Sequence, residues 1–373
     1  MALVLNEEQV MLRDAARNFL QERAPVSHLR DIRDSGNNKG FSNELWTEMA
    51  DMGWTAILVP EKHGGLGYGY AGLGIVLEEC GRTLTPSPLL STALTGVCAL
   101  TLAGSPKQCA SILPGVVSGE HLLALACDEG ARHQPERVTT EAEVLDQSFT
   151  LSGRKTAVVD GHVANTYIVS AWTGKGISLF LVPAGAEGVR VQRYPVLDIS
   201  ASAHVTFDQV ELSADSLLGP LDGGQGVLDQ VLDAARIGAS AEMLGIAQEV
   251  FARTLEYLKE RKQFGVPIGS FQSLQHRAAK LHGEIETCKS LVLKALQTLD
   301  EMAEGDAELS SLTKAKLGVT AHRAATEAIQ MHGGIGMTDE FEIGFFLKRC
   351  QILETLYGDH HFHLDRFAKI RGY

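Results

Sequence analysis

The period of the apolar residues changes twice along this chain, and that change limits the fold more than any single motif. From Asn6 to about Leu113 the period is helical: Asn6 is placed to cap a helix with Gln9 three positions on, and Val10, Leu12, Ala15, Phe19 and Leu20 recur at helix spacing. A short apolar run from Trp54 to Val59 interrupts it, and the Pro60 and glycine cluster behind it predict a loop. Between Gly115 and Leu217 the pattern is one of short strands, at 122–126, 149–151, 167–169, 177–182 and 205–207, set apart by Gly, Pro, Asp and Ser. No helix-length pattern separates them, which favours an antiparallel barrel or sandwich over a parallel, doubly wound sheet. From Gly223 long amphipathic helices return over 227–262, 271–302, 310–332 and a stretch beyond Glu340, the order of an antiparallel four-helix bundle. The expected fold is an α+β multidomain chain: an N-terminal helical domain over 1–114, a middle β barrel or sandwich domain over 115–217, and a C-terminal helical bundle over 218–373.

Composition removes several function classes. With 45% hydrophobic and 21% charged residues, the 373-residue chain is neither disordered nor collagen-like. Its net charge of −13 and lack of a basic run argue against nucleic acid and against charge-driven binding to an anionic membrane. No apolar run approaches the ~20 residues that span a bilayer. The first residues meet Glu7 and Glu8 after a very short apolar stretch and have no basic segment, so no signal peptide is expected. Cys80, Cys98, Cys109, Cys127, Cys288 and Cys350 form no Cys-x-x-Cys pair, which points to free thiols in a reducing cytoplasm.

Four segments carry candidate chemistry. Gly67-Tyr-Gly-Tyr-Ala-Gly72 spells a dinucleotide fingerprint, but the stretch from Leu73 to Leu84 looks helical, with Glu78 and Glu79 inside it, where a second strand ending in an acid should follow. A nucleotide site is therefore rejected in favour of a glycine-rich turn feeding a helix. His360, His361 and His363 with Asp359 and Asp365 hold enough ligand atoms for a metal, yet adjacent histidines on a helix diverge, so no metal is expected. Arg261-Lys-Gln-Phe-Gly265 closes a long helix with a cationic fork and an amide, groups suited to a diphosphate. Gln330-Met-His-Gly-Gly-Ile-Gly336 closes another with three glycines that let backbone N–H groups approach a ligand closely.

Taken with Phe271-Gln272, Pro60-Glu-Lys-His-Gly-Gly-Leu-Gly67 and Leu151-Ser-Gly-Arg-Lys155, these segments in this order resemble the acyl-CoA dehydrogenase family of flavoenzymes across almost the whole chain. The resemblance implies a tetramer binding FAD and acyl-CoA and passing electrons to an acceptor flavoprotein. It implies that Arg261, Gln263, Phe264, Phe271 and Gln272 reach a neighbouring subunit's FAD, that Gln330, Gly333 and Gly334 cover its adenosine diphosphate portion, and that Asp233 and Arg236 line the acyl-CoA cavity. The family removes an α-proton with a carboxylate while the β-hydrogen leaves as hydride to flavin, giving a trans-2-enoyl-CoA.

The chain departs from that pattern at both places where the family carries its base. Gly358 stands where the glutamate of a Tyr-Glu-Gly-Thr segment would be, and Ala235 stands before the arginine matching Arg236. Asp359, one residue along, is the nearest substitute, with helix N-capping as its alternative role; Glu242 is a second candidate. The flavin side departs too, with Cys127-Asp-Glu-Gly130 and Ala157-Val-Val159 where the family presents a Thr-Glu-Pro-Gly-like turn and a Trp-x-Thr strand. This asymmetry raises an alternative: a non-catalytic partner subunit in a heterotetramer with a second dehydrogenase-like chain, contributing FAD contacts in trans. Paired dehydrogenases in the family serve bulky substrates such as steroid side chains and dicarboxylic acyl groups. An oxidase or flavin monooxygenase on the same fold is a third reading.

Overall fold

The computed structural model describes residues 3–146, 148–301 and 306–373. By contact the chain groups into two compact units: Met1–Asp31, Tyr70–Thr85 and Arg236–Tyr373 in one, Ile32–Gly69 and Pro86–Ala235 in the other.

The first unit is helical. It begins with α1 (Glu7–Arg23), closed by the expected capping box: Asn6 Oδ1 accepts from Gln9 N at 2.8 Å, and Gln9 Oε1 accepts from Asn6 N at 3.0 Å. The helix α2 (Val26–Asp34) follows and runs on into the second unit, where α3 (Asn43–Asp51) is capped by Ser42. The next helix of the first unit, α4 (Tyr70–Thr83), starts inside the glycine motif. Its leading N–H groups, on Tyr70 and Ala71, donate to the Asp300 carboxylate, so the terminus that a nucleotide phosphate would need is already filled. The apolar run ahead of it forms a 3-10 turn at Trp54–Ala56 instead of a strand. No dinucleotide fingerprint survives these two facts.

The rest of this unit is the expected bundle. It comprises α7, whose full extent is Gly224–Glu260, then α8 (Gln272–Glu301), α9 (Asp306–His332), α10 (Ile343–Thr355) and α11 (His360–Ile370). The expected end of the second helix at residue 302 lies outside the described residues. The stretch beyond Glu340 is two helices where one was expected, because Tyr357 and Gly358 both take positive φ, +58° and +108°, and the chain cannot continue a right-handed helix through them. Glycine lets α4 and α7 meet backbone to backbone. A Cβ at Gly81 would lie 2.1 Å from the Glu242 carbonyl oxygen, and one at Gly245 would lie 1.8 Å from that of Glu78.

The second unit holds a π-helix at Leu89–Gly96 running into α5 (Val97–Ala103), then α6 (Pro106–Val117) with its own Ser105–Gln108 capping box. One sheet follows, built from β1 (Leu123–Ala126), β2 (Glu141–Val144), β3 (Ser148–Val159), β4 (Thr166–Trp172), β5 (Ile177–Pro183), β6 (Val189–Pro195), β7 (Ala201–Ser213) and β8 (Leu217–Leu218). Its order is β6-β7-β3-β2-β4-β5-β8, with β1 on β4. Most pairings are antiparallel as expected, but β1 and β2 both meet β4 in parallel, so the sheet is mixed. Phe149, Leu151, Tyr167, Phe180, Val205 and Phe207 form its core. The sequence pattern misses three strands: β8 is only two residues long, β2 buries only Ala142, and β6 is an exposed sheet edge whose Arg190, Gln192 and Arg193 carry no apolar signal.

Candidate functional site

All eight residues expected to meet FAD lie on the surface of the first unit. Past the end of α7, the chain turns through a two-residue hairpin between β9 (Lys262–Gln263) and β10 (Val266–Pro267). Phe264 and Gly265 at its tip have φ of +53° and +82°, the pairing of left-handed residues that a tight hairpin requires. Asparagine usually takes the first of these positions; a phenylalanine there is strained and is also 91% exposed. Its ring meets Phe271 edge-on at 6.2 Å, while Arg261, Gln263 and Gln272 are exposed around it.

The glycine turn at the end of α9 is tied to this hairpin's base. The Tyr257 ring, one turn before Arg261, packs 4.3 Å from that of His332, and its hydroxyl donates to the His332 carbonyl at 3.3 Å. His332 is buried, which lowers its pKa, and its Nδ1 lies 2.7 Å from the Ala328 carbonyl oxygen. Beyond it Gly333 (φ +67°) and Gly334 are exposed, and a Cβ on either would meet nothing within 4 Å. A guanidinium, an ammonium and three exposed amides are donors that a diphosphate and an adenosine take, and the bare glycine surface leaves room for them to approach, so the residues present fit FAD.

The expected catalytic positions are occupied otherwise. Asp359 is exposed, and its Oδ1 accepts from Phe362 N at 2.8 Å, capping α11. Glu242 is buried and forms a bidentate pair with Arg349 at 2.6 and 3.0 Å. Asp233 and Arg236 stand three residues apart on α7, both buried. Arg236 Nε donates to the Tyr357 carbonyl at 3.0 Å, and its guanidinium lies 5.4 Å over the Phe362 ring. Lys314, also buried, donates to the Glu354 and Gly358 carbonyls at 2.8 and 3.0 Å. Nothing in the sequence singles Lys314 out; only the fold brings α9 under that turn. Among the described residues no cluster of His, Cys, Asp or Glu could hold a metal.

In the second unit, the loop expected opposite a flavin is tied to itself. Lys155, fully buried, donates to Glu129 at 2.7 Å and contacts Ser170 at 3.0 Å. Glu129 also accepts from the backbone of Thr139 at 2.7 Å and of Thr140 at 2.9 Å. Burial pushes its carboxyl up, but the Lys155 charge and these donors outweigh that and hold it at about 2. Asp128 pairs with His133 at 2.9 Å. Ala157 sits at a bulge in the β3–β7 pairing with φ +52°.

A helical segment, a β domain and a helical bundle in that order, with a cationic hairpin joined to a glycine turn, define the scaffold of an FAD-binding oxidoreductase. Family models agree. The acyl-CoA dehydrogenase N-terminal domain matches residues 6–120, the middle domain 124–210 and the C-terminal domain 222–370. The chain is 30% identical over 368 residues to the probable acyl-CoA dehydrogenase YngJ of Bacillus subtilis, covering 94% of each. It is 26% identical over 366 residues to the caffeyl-CoA reductase-Etf complex subunit CarC of Acetobacterium woodii, covering 95% of each. Among solved structures, the Tcur3481-Tcur3483 steroid acyl-CoA dehydrogenase superposes with a TM-score of 0.90 at 29% identity, covering 98% of each chain. The chain belongs to the acyl-CoA dehydrogenase family, whose cofactor is FAD.

Proposed function

We propose that this chain serves the α,β-dehydrogenation of an acyl-CoA thioester to a trans-2-enoyl-CoA, as one subunit of a heterotetramer whose second, dehydrogenase-like chain carries the catalytic carboxylate. The observation that carries this reading is the state of the base positions. Gly358 and Ala235 have no carboxylate, Asp359 caps a helix, and Glu242 is paired with Arg349. FAD, when bound, supplies the acceptor for the β-hydride. Arg261, Gln263, Gln272 and Gln330 bind its polar parts from a neighbouring chain, Gly333 and Gly334 offer backbone N–H groups, and Phe264 and Phe271 pack on it. Asp233 and Arg236 line the acyl-CoA cavity. The electrons leave to an acceptor flavoprotein, a reading supported by the Etf complex in which CarC is named. The name of the Tcur3481-Tcur3483 steroid enzyme joins two components and supports a paired assembly. Six buried cysteines outside any disulfide favour the cytoplasm.

A second reading has Asp359 as the base of a homotetramer, favoured by its exposed carboxylate one residue from position 358. Visible absorbance and light scattering on the chain expressed alone separate the two. A colourless protein that gains FAD and turnover only with a partner chain supports the first. Stoichiometric FAD and turnover on a homotetramer sink it and favour the second. Asparagine caps helices as well as aspartate, so Asp359→Asn keeps the fold and isolates the chemistry: unchanged flavin reduction removes Asp359 as base.

A further inference from the structure

The segment that carries Gly333 and Gly334 has little of its own to hold its shape. From Gly333 to Glu340 every residue is exposed except Gly336. Its internal bonds are short-range: Thr338 N donates to the Ile335 carbonyl at 3.1 Å, and Phe341 N to that of Thr338 at 3.3 Å. A segment without buried side chains opens easily unless its ends are fixed. Here both ends are. At the first, the Tyr257 ring packs on His332, and the Phe341 ring closes on the same histidine at 4.9 Å. At the other, two guanidiniums act alike. Arg253 Nη1 donates to the Glu342 carboxylate at 2.6 Å, and its guanidinium lies 5.2 Å over the Phe346 ring. Arg30 Nη1, from α2, donates to the Asp339 carboxylate at 2.9 Å, and its guanidinium lies 5.0 Å over the Phe345 ring. Each arginine ties an acid of the segment to a buried phenylalanine of α10.

Arg253 is also placed by register. It stands four residues before Tyr257 and eight before Arg261, and Arg261 N still donates to the Tyr257 carbonyl at 2.9 Å, so the three follow one face of α7 to its end. Glu249 locks the arginine in turn, its carboxylate accepting from Arg253 Nε at 2.8 Å. One helix face thus fixes the base of the hairpin and both ends of the glycine segment. We infer that Arg253, with Arg30, is a positioning residue for FAD: by holding Glu342 and Asp339 the pair keeps Gly333 and Gly334 in one arrangement before the dinucleotide arrives, so that little ordering is left to binding. Arg253 carries more of this than Arg30, because the Glu342 side chain is less exposed than that of Asp339, 28% against 58%, and its ion pair is less screened. The inference rests on the reading that this segment meets FAD.

The test uses the full chain in its FAD-loaded assembly, with FAD affinity read by flavin fluorescence and backbone mobility by amide hydrogen exchange. Arg253→Gln should raise the FAD dissociation constant about tenfold, the cost of fixing one more residue's backbone on binding. Arg253→Lys, which keeps the charge, should restore part of that. Exchange in Arg253→Gln should quicken across residues 333–341 and stay unchanged in α8. Glu342→Ala should match Arg253→Gln, and the two combined should be no worse than either. An FAD affinity unchanged by Arg253→Gln, effects that add in the double variant, or faster exchange throughout α8 would each overturn the clamp. Arg261→Gln separates the clamp from the reading beneath it, since Arg261 is expected to meet FAD directly. If Arg261→Gln weakens FAD binding and Arg253→Gln does not, the clamp alone fails. If neither does, the reading that these segments meet FAD fails, and the clamp with it.

Discussion

Lys314 shows how a side chain with no chemical step to perform can still shape the molecule's response to pH. Burial pushes its ammonium down to about 7; Glu354 and Asp359 oppose that and Arg236 adds to it. The neutral amine keeps two N–H donors, enough for the Glu354 and Gly358 carbonyls it serves. The folded state therefore releases a proton that the unfolded chain keeps until about 10.5. Between those values the unfolded state binds more protons, so stability rises with pH, by roughly 1.4 kcal/mol per pH unit at the steepest. Urea unfolding of wild type and Lys314→Met at a series of pH values checks this. The variant, which strands two carbonyls, should be less stable at every pH, and its curve should lack the rise. Equal slopes in the two proteins would show that Lys314 does not titrate as described.

At the scale of elements, the crossing of α4 and α7 has the least tolerance. Gly81 and Gly245 each face the other helix's backbone, so added volume has no flexible side chain to displace. Gly245→Ala should cost at least ~2 kcal/mol despite the better helix propensity of alanine, seen as a lower denaturant midpoint with unchanged slope. Helix spans, the Asn6 cap and the Asp359 cap were legible in sequence because each depends on neighbours within one or two turns. The break at Tyr357 and the edge strand β6 were not. The break is held by buried donors, Arg236 of α7 and Lys314 of α9, and β6 gains its order from pairing with β7. The eight residues expected to meet FAD stood out as motifs, whereas the grip of Lys314 on the turn at Gly358 is a contact in space with no spacing signature.

At the scale of the whole molecule, the hairpin at Phe264 carries two opposed costs that separate the chain alone from its assembly. In the isolated chain a left-handed phenylalanine, 91% exposed, costs about 1–2 kcal/mol and gains no burial in return. On the proposed reading, a residue kept under such strain at an exposed tip is explained by a contact that another chain and its FAD supply. Phe264→Gly, which removes the strain without altering the hairpin, should therefore raise the stability of the chain alone by about 1 kcal/mol. In the FAD-loaded complex the same change should act in the opposite direction. A ligand at a hundred times its dissociation constant stabilises the protein by about 2.7 kcal/mol, and weaker FAD binding should cut into that gain. Melting curves of chain and complex, each with and without added FAD, read both effects. A gain in the chain alone with a reduced FAD-dependent shift in the complex fits contacts made in trans. A gain in both, with the FAD shift intact, would mean that Phe264 faces solvent in the assembly as well and that the flavin is held without it.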